Sequence, residues 1–159
     1  MAEAKYRTFE NGKFDGKVPF KDVAGMTDRD IIGLLQVSQL YYTQGRFDAA
    51  QTILEGLAVM DPDNRLVQSA LGAVYTKKGN NDAALEALNK AAKLNPGDIS
   101  IYVNRGEVLI RLGKVKEAAS DFKKALDMDP ERKSPAANRA RLILVGLAAV
   151  AQKAKEKQA

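Results

Sequence analysis

Apolar residues recur every three or four positions through the middle of the chain, which is the spacing of one face of an α-helix. The pattern is clear in LLQVSQLYY, residues 34–42, and again in AAQTILEGLAVM, residues 49–60. Gly45 separates the two segments, and Pro62 follows the second. Glycine accepts the left-handed backbone conformation that ends many helices, and proline cannot continue a helix. The pattern therefore predicts a pair of amphipathic helices joined by a tight turn.

This helix pair is repeated along the chain at an interval of 34 residues. Aligning the prolines of its closing turns, VMDPDN, KLNPGD and DMDPER, gives three repeats, which span 31–64, 65–98 and 99–132. In each repeat the eighth residue is small, the fifteenth is glycine, the twentieth is alanine and the twenty-fourth is bulky and apolar. In that order the residues are Ser38, Gly72 and Gly106; Gly45, Gly79 and Gly113; Ala50, Ala84 and Ala118; and Leu54, Leu88 and Phe122.

Small residues at the eighth and twentieth positions allow the two helices of a pair to approach closely, and we expect the bulky twenty-fourth residue to fill the space between neighbouring repeats. One helix pair cannot bury its apolar face alone, so copies stack and share a continuous core. We therefore predict an all-α fold, an α-solenoid of three repeats within residues 27–132.

The sequence on either side of the repeats predicts where the solenoid begins and ends. Thr27 and Asp30 form a capping box, so the first helix is expected to start at Asp28. After the repeats, residues 133–159 are expected to form a capping helix with a basic tail, with Ser134 as its N-cap, Pro135 as its first residue and an end near Lys157. The stripe predicted to face the core is Ala140, Ile143, Leu147, Ala151 and Ala154.

Two segments remain open to more than one interpretation. A second apolar strip on the capping helix, Leu142, Val145, Gly146 and Ala149, predicts a cover, either a second copy of the protein in a homodimer or the N-terminal segment. Residues 1–26 contain glycines, a proline and an Asn-Gly turn signal at 11–12, so an irregular segment is expected. That segment is either a flexible tail or a stretch ordered by burial of its aromatic residues, Tyr6, Phe9, Phe14 and Phe20, against the solenoid or a partner.

Composition narrows the range of functions. The chain has no cysteine and no histidine, which excludes thiolate metal sites and Cys or His catalysis, and it has no glycine-rich phosphate loop. We expect no enzyme activity, no cofactor and no metal. The apolar run at 142–151 is too short to cross a membrane and the first residues lack a secretory signal, so a cytoplasmic protein is expected.

The net charge of +5 resides in residues 133–159, where six basic residues face one acidic residue. Cations at the end of a terminal helix oppose its dipole, so this cluster does not predict binding to nucleic acid.

The repeat, for example YYTQGRFDAAQTILEGLAVMDPDN, resembles the tetratricopeptide repeat (TPR) family, which is defined by a 34-residue helix-turn-helix unit. The resemblance implies a protein-binding adaptor or scaffold in which the first helix of each pair lines a concave groove. Groove positions two, five, nine and twelve fall on Ile32, Leu35, Gln39 and Tyr42; on Leu66, Ser69, Ala73 and Thr76; and on Ser100, Val103, Glu107 and Ile110.

These groove residues are mostly apolar and small, so the expected ligand is an apolar segment or an amphipathic helix of another protein, with Tyr42 and Ile110 as anchors. Leu35 and Val103 have an alternative place against the adjacent repeat. Glu107 is expected to pair with Arg111 one turn further on.

Some TPR domains hold a terminal carboxylate with a clamp of cationic and amide side chains. The matching positions here carry Leu35, Gln39, Ala70, Ser100 and Asn104, which include no cation, so the sequence argues against such a clamp. A narrower resemblance, strongest in ILEGLAVMDPDNRLVQSALGAVY, is to the chaperones of type III secretion translocators. It implies an alternative function, a chaperone that holds an apolar client segment in the same groove.

Overall fold

The computed structural model describes residues 9–10, 13–14 and 20–156 of the chain. Within them lie two short strands and eight helices. The elements are β1 Phe9–Glu10, β2 Lys13–Phe14, α1 Phe20–Val23, α2 Asp28–Thr43, α3 Phe47–Met60, α4 Arg65–Lys78, α5 Asn81–Leu94, α6 Ile99–Arg111, α7 Val115–Asp127 and α8 Pro135–Glu156. The predicted all-α solenoid is confirmed, with α2/α3, α4/α5 and α6/α7 as the three helix pairs and α8 as the closing helix.

The boundaries of the helices follow the capping residues in the sequence. Thr27 and Asp30 form the predicted capping box: Thr27 N–H donates to Asp30 Oδ2 at 2.9 Å, and Asp30 N–H donates to Thr27 Oγ1 at 3.3 Å. Between the helices of each pair, Gly45, Gly79 and Gly113 adopt φ of 74°, 77° and 74°. A residue with a Cβ is strained in this left-handed conformation, which explains the glycine at the fifteenth position.

In the second and third repeats the bulky residue at position twenty-four packs against the first helix of its own pair. In the first repeat, Leu54 also lines a depression with residues of the second repeat, as predicted for this position. A Cβ added to Gly72 would lie 2.5 Å from Leu88 Cγ, and one added to Gly106 would lie 2.5 Å from Phe122 Cε1. Leu88 and Phe122 are fully buried. The large side chain of the second helix therefore occupies the space that the missing side chain of the first helix leaves open.

Two clusters of buried residues form the core. The first joins α2, α3, α4 and α5 and includes Leu54, Leu57 and Val67. The second joins α5, α6, α7 and α8 and includes Leu88 and Phe122. Tyr75 packs against both clusters, so the core continues from one repeat to the next, as expected for a solenoid.

The stack of repeats is curved. The backbones of the first helices lie close to one another in sequence, α2 to α4, α4 to α6 and α6 to α8, whereas among the elements that the structure describes no second-helix backbone lies as close to the next. Because one side of the stack is more tightly spaced than the other, α2, α4, α6 and α8 lie on the inner, concave side. This is the arrangement that the resemblance to TPR proteins implied.

The N-terminal segment is more regular than predicted. Residues 20–23 form a helical turn, and Lys21 Nζ lies 3.0 Å from both Asp28 Oδ1 and Asp61 Oδ2. These two ion pairs tie α1 to the start of α2 and to the turn after α3, contacts too distant in sequence to be read from local composition. The strands β1 and β2 pair antiparallel, Phe9 opposite Phe14. The predicted turn at 11–12, residue Tyr6 and the side chains of Phe9, Phe14 and Phe20 lie outside what the structure describes.

Asp129 anchors the start of α8 to the third repeat. Its Oδ1 accepts the backbone N–H groups of Lys133 at 2.9 Å and of Ser134 at 3.1 Å, and its Oδ2 accepts Arg141 Nη1 at 3.2 Å. Burial alone would raise the pKa of this carboxyl, but the donors of Ser134, Lys133 and Arg141 outweigh it and hold the pKa below its usual value. Ser134 also caps the helix as predicted, since its Oγ accepts from Ala137 N–H at 3.3 Å.

Only the first half of α8 packs against the core. Ala140 is buried, and Ile143 and Leu147 are half-buried against the second cluster. Ala151 is exposed, so its predicted place in the core stripe is wrong, and the side chain of Ala154 is outside the described part. The reason is length, since α8 has 22 residues and the α6 and α7 helices that it packs against have 13 each. Within the described residues, no helix has both the length and the apolar character to span a membrane.

The close approach of the paired helices can be tested with two glycine substitutions. We predict that Gly106→Ala lowers the free energy of unfolding by about 1–3 kcal/mol, because the new methyl group overlaps the ring of Phe122. Gly56→Ala is the matched control, since Gly56 is also in a helix but a Cβ there would meet nothing within 4 Å. That control should stabilise the protein by roughly 0.5–1 kcal/mol. Urea unfolding of both variants measures the difference, and equal effects would contradict this account of the packing.

Candidate protein-binding groove

The structure brings most of the predicted groove residues together along the concave side. Nine of the twelve line depressions between successive first helices: Ile32, Leu35, Gln39, Tyr42, Leu66, Ala73, Thr76, Ser100 and Glu107. Ser69 and Ile110 are half-buried and Val103 is fully buried. The depressions follow one another from α2 to α8, so they form one discontinuous groove.

The first end of the groove is apolar. Ile32 on α2 and Leu66 on α4 are 50% and 51% exposed, and with half-buried Leu35 they line a depression of about 420 Å³. Carboxylates stand around it, on Asp28 at the start of α2 and on Asp61 and Asp63 in the turn before α4. These carboxylates are paired with Lys21 and Lys90, so this end offers apolar contact inside a rim of ion pairs.

The two predicted anchors, Tyr42 and Ile110, are partly core residues. The ring of Tyr42 packs edge-on against Phe47, with 5.5 Å between ring centroids, and burial raises the pKa of its phenol. Ile110 is half-buried against the second core cluster. Ile32 and Leu66 are more exposed and so have more apolar area to lose to a ligand. Position in the repeat does not show which of these four side chains has the most exposed apolar surface.

Two of the predicted groove residues are buried. Val103 has no exposed surface and belongs to the second core cluster, which confirms the alternative place considered for it. Thr76 is 8% exposed, and its hydroxyl donates to the carbonyl oxygen of Gly72 at 2.6 Å. Val103 is therefore a core residue, whereas Thr76 keeps a small exposed surface in the cleft that it lines.

The end of the groove towards α8 is cationic, although the clamp positions named from the sequence hold no cation. Lys77, Arg111 and Arg139 line a cleft of about 140 Å³ together with Tyr42 and Glu107. Glu107 was expected to pair with Arg111, but it pairs with Arg139 on α8 instead. Its Oε1 lies 2.6 Å from Arg139 Nε. Arg111 instead donates from Nη1 to the backbone oxygen of Thr76 at 2.7 Å.

The sequence did not reveal this cationic end because Arg139 and Arg111 were assigned to other roles and Lys77 to none. Arg139 was counted with the basic tail, yet its Nη2 also donates to Asn104 Oδ1 at 2.8 Å, which brings it from α8 onto α6. Lys77 follows position twelve of its repeat and was not among the positions that the family resemblance selected. The signal that could have found Lys77 and Arg111 is spacing, because they occupy the same position in consecutive repeats, 34 residues apart.

The groove offers the kinds of surface that bind a peptide. Within the described ranges, no three metal-ligating side chains are grouped closely enough to hold an ion. The groove has exposed apolar surface at one end, cationic side chains at the other, and half-buried small residues between them. These features match the requirements of an extended peptide or a helix laid along the groove.

Comparison with known families agrees with the helix pairs and their curvature. Two models described as tetratricopeptide repeat match residues 71–144 and 38–99, which together cover about two thirds of the chain. The chain belongs to the tetratricopeptide repeat family. No curated protein matches this TPR protein by sequence.

Solved structures with the same fold include bacterial secretion chaperones. The translocator chaperone SycD of Yersinia enterocolitica is 18% identical with a TM-score of 0.72, covering 82% of this chain and 99% of SycD. PcrH of Pseudomonas aeruginosa, in complex with the chaperone binding region of PopD, is 23% identical with a TM-score of 0.72, covering 79% and 96%. The first TPR domain of Spaghetti (RPAP3), bound to the HSP90 peptide SRMEEVD, is 25% identical with a TM-score of 0.67, covering 77% and 96%.

The outer face of α8 carries the second apolar strip that the sequence predicted. Leu142 and Val145 are 75% and 69% exposed, and Ala149 is exposed beside them. Comparison with the other first helices explains this exposure. The eighth residue is Gly72 in α4, Gly106 in α6 and Leu142 in α8, and the two glycines are covered by the second helix of their pair. The strip therefore occupies the face that a second helix covers in the repeats.

The distinction between groove and core residues predicts opposite responses to the same substitution. Leu66→Asp should change the free energy of unfolding by no more than about 0.5 kcal/mol, because its side chain is exposed on a helix surface. Val103→Asp should lower it by more than about 4 kcal/mol, or prevent folding, because the carboxylate would be buried without a partner. Urea unfolding followed by circular dichroism measures both, and a tolerated Val103→Asp would return that residue to the groove.

Proposed function

We propose that this TPR protein is an adaptor whose concave groove binds an apolar segment of another protein. The observation that carries the proposal is the pair Ile32 and Leu66, two large apolar side chains that remain half exposed around a depression of about 420 Å³. Exposed apolar residues gathered in a concavity are typical of ligand-binding surfaces. A segment with large aliphatic or aromatic side chains fits this depression, because burial of such groups supplies most of the binding energy in grooves.

Structural relatives support a groove of this kind. PcrH is known in complex with the chaperone binding region of PopD, and the first TPR domain of Spaghetti is known with a bound HSP90 peptide. In both complexes the TPR partner is a segment of another protein. These complexes support the mode of binding proposed here. Because their sequence identity to this chain is low, they do not indicate which ligand it binds.

A second function, that of a chaperone for an apolar client segment, is supported by the similarity to SycD over 99% of its length. The two functions differ in the state of the partner. A chaperone binds a short unfolded segment as well as it binds the whole client, whereas an adaptor that recognises a folded regulator loses affinity when the segment is excised.

The adaptor proposal is tested by affinity capture from a lysate of the source cells, with bound proteins identified by mass spectrometry. We expect Ile32→Asp/Leu66→Asp to lose a partner that the wild type retains, because two carboxylates would enter the apolar end of the groove. Val59→Asp is the control, since Val59 is 68% exposed on the second helix α3, away from the concave side. A partner retained by the double variant would place binding elsewhere on the molecule. Calorimetry with the purified partner and with its excised segment then separates adaptor from chaperone.

We also propose that the strip on α8, Leu142, Val145 and Ala149, mediates weak self-association. Two copies of one helix face are complementary to each other in an antiparallel two-fold arrangement. Gly146 in the middle of the strip, where a Cβ would meet nothing within 4 Å, allows the two helices to approach closely. The strip is much smaller than the roughly 800 Å² per partner of a stable interface, so the dimer is expected only at high protein concentration.

Light scattering over a range of concentrations tests this second proposal. Wild-type protein should show a rising average mass, and Leu142→Arg should remain monomeric because it places two more cations in the interface. Val59→Arg, an equally exposed apolar position on α3, should behave as wild type. Association should also strengthen with added salt. In the antiparallel arrangement the exposed Lys153 of each copy lies near α8 of the other copy, which is also basic, and salt screens the repulsion between them. A mass independent of both concentration and substitution would end the proposal.

A further inference from the structure

We infer that the groove selects segments in which an acidic side chain lies at a fixed distance from the apolar anchor, with Lys77, Arg111 and Arg139 binding the carboxylate. The inference rests on the proposed function and adds to it the chemistry and the orientation of the ligand. It concerns positions other than those of the carboxylate clamp, which in this chain hold no cation.

Arg111 is held in place and keeps donors for a ligand. One of its N–H groups is used on the carbonyl oxygen of Thr76 at 2.7 Å, at the end of α4, which fixes the guanidinium at the mouth of the cleft. A guanidinium has five N–H donors, so a carboxylate can still be bound through the remaining ones. In the part of the chain that the structure describes, neither Arg111 nor Lys77 forms an ion pair with a carboxylate.

Arg139 is the partly neutralised member of the cluster. Its Nε lies 2.6 Å from Glu107 Oε1, and its Nη2 donates to Asn104 Oδ1 at 2.8 Å. These two bonds orient the guanidinium across the cleft between α6 and α8. With three cations and one carboxylate, the cleft keeps an excess of two positive charges, and a ligand carboxylate would bring it closer to balance.

The two ends of the groove differ in charge, and this difference sets the orientation of the ligand. The apolar depression has no net charge, because its three carboxylates are balanced by Lys21, Lys90 and Arg65, so it gives an acidic side chain no net attraction. The cleft beside Tyr42 is cationic. A segment with apolar and acidic residues therefore has one favourable direction, with the apolar anchor between α2 and α4 and the carboxylate between α6 and α8.

The carboxylate is that of an aspartate or glutamate side chain within the segment, not of a chain terminus. The groove continues beyond the cationic cleft, because Asn104 and Arg139 also line the next depression, of about 770 Å³, with Ser100 and Ala136. A bound chain can thus pass the cluster and extend towards α8. A clamp for a chain end would instead be closed on that side.

The experiment uses a phage-displayed library of random twelve-residue peptides, fused so that no displayed peptide has a free C-terminus, selected on the full chain. We expect the selected sequences to share an acidic residue at a fixed spacing from large apolar residues. Representative peptides are then synthesised with amidated and with free C-termini, and their affinities are measured by fluorescence anisotropy. Lys77→Gln and Arg111→Gln should each weaken binding about tenfold, the effect of a partly exposed charge-assisted hydrogen bond.

Matched controls separate this inference from the proposed function. Lys123→Gln removes the same charge from an exposed position on the second helix α7 and should leave affinity unchanged. Peptides that lose binding in Ile32→Asp/Leu66→Asp but show no acidic preference would overturn the inference and leave the proposed function intact. Binding that requires a free C-terminus would overturn the assignment to a side chain. If no selected peptide depends on Ile32 and Leu66, the groove is not the binding site and both conclusions fail.

Discussion

The rest of the structure depends on the close approach of the two helices within each repeat. Gly72 and Gly106 leave a space that the buried side chains of Leu88 and Phe122 fill, so the second helix lies directly against the backbone of the first. Packing of this kind tolerates little change in volume, because protein interiors are as dense as crystals of small molecules. It fixes the angle within each pair, and the position of every groove residue on the first helices follows from it.

Curvature turns this repeated pair into a binding surface. In the described elements the backbones of the first helices lie closer to one another than those of the second helices do. First-helix residues that point away from the second helix of their own pair therefore converge on the concave side. Close spacing has a second effect, which is to bury some of them, as it does with Val103. A groove of this type is therefore only partly accessible, and the proposed ligand would contact exposed residues such as Ile32 and Leu66 more than buried ones.

The sequence predicted the features that depend on neighbours at fixed spacing. The repeat interval, the left-handed glycines, the capping box at Thr27 and the N-cap at Ser134 are all local in the chain, so their physical causes are visible in a few residues. The cationic end of the groove is not local: Arg139 reaches Glu107 across 32 positions because Asp129 fixes the start of α8. Helical spacing favoured the pair Glu107 and Arg111, but a tertiary contact replaced it. The structure gives the burial of the groove residues, and their contact with a ligand stays a prediction.

The closing helix shows how a solenoid can end without being inert. α8 repeats the role of a first helix: it extends the concave side and contributes Arg139 to the groove. Its other face has Leu142 where α4 and α6 have glycine, so a helix could not pack there in the manner of Leu88 on Gly72. A partner surface must instead offer a hollow for Leu142, which the small residues Gly146 and Ala149 of a second, antiparallel α8 can supply. α8 thus belongs to both of the proposed binding surfaces. A change in its contacts with Asp129 would shift the helix and so alter both surfaces.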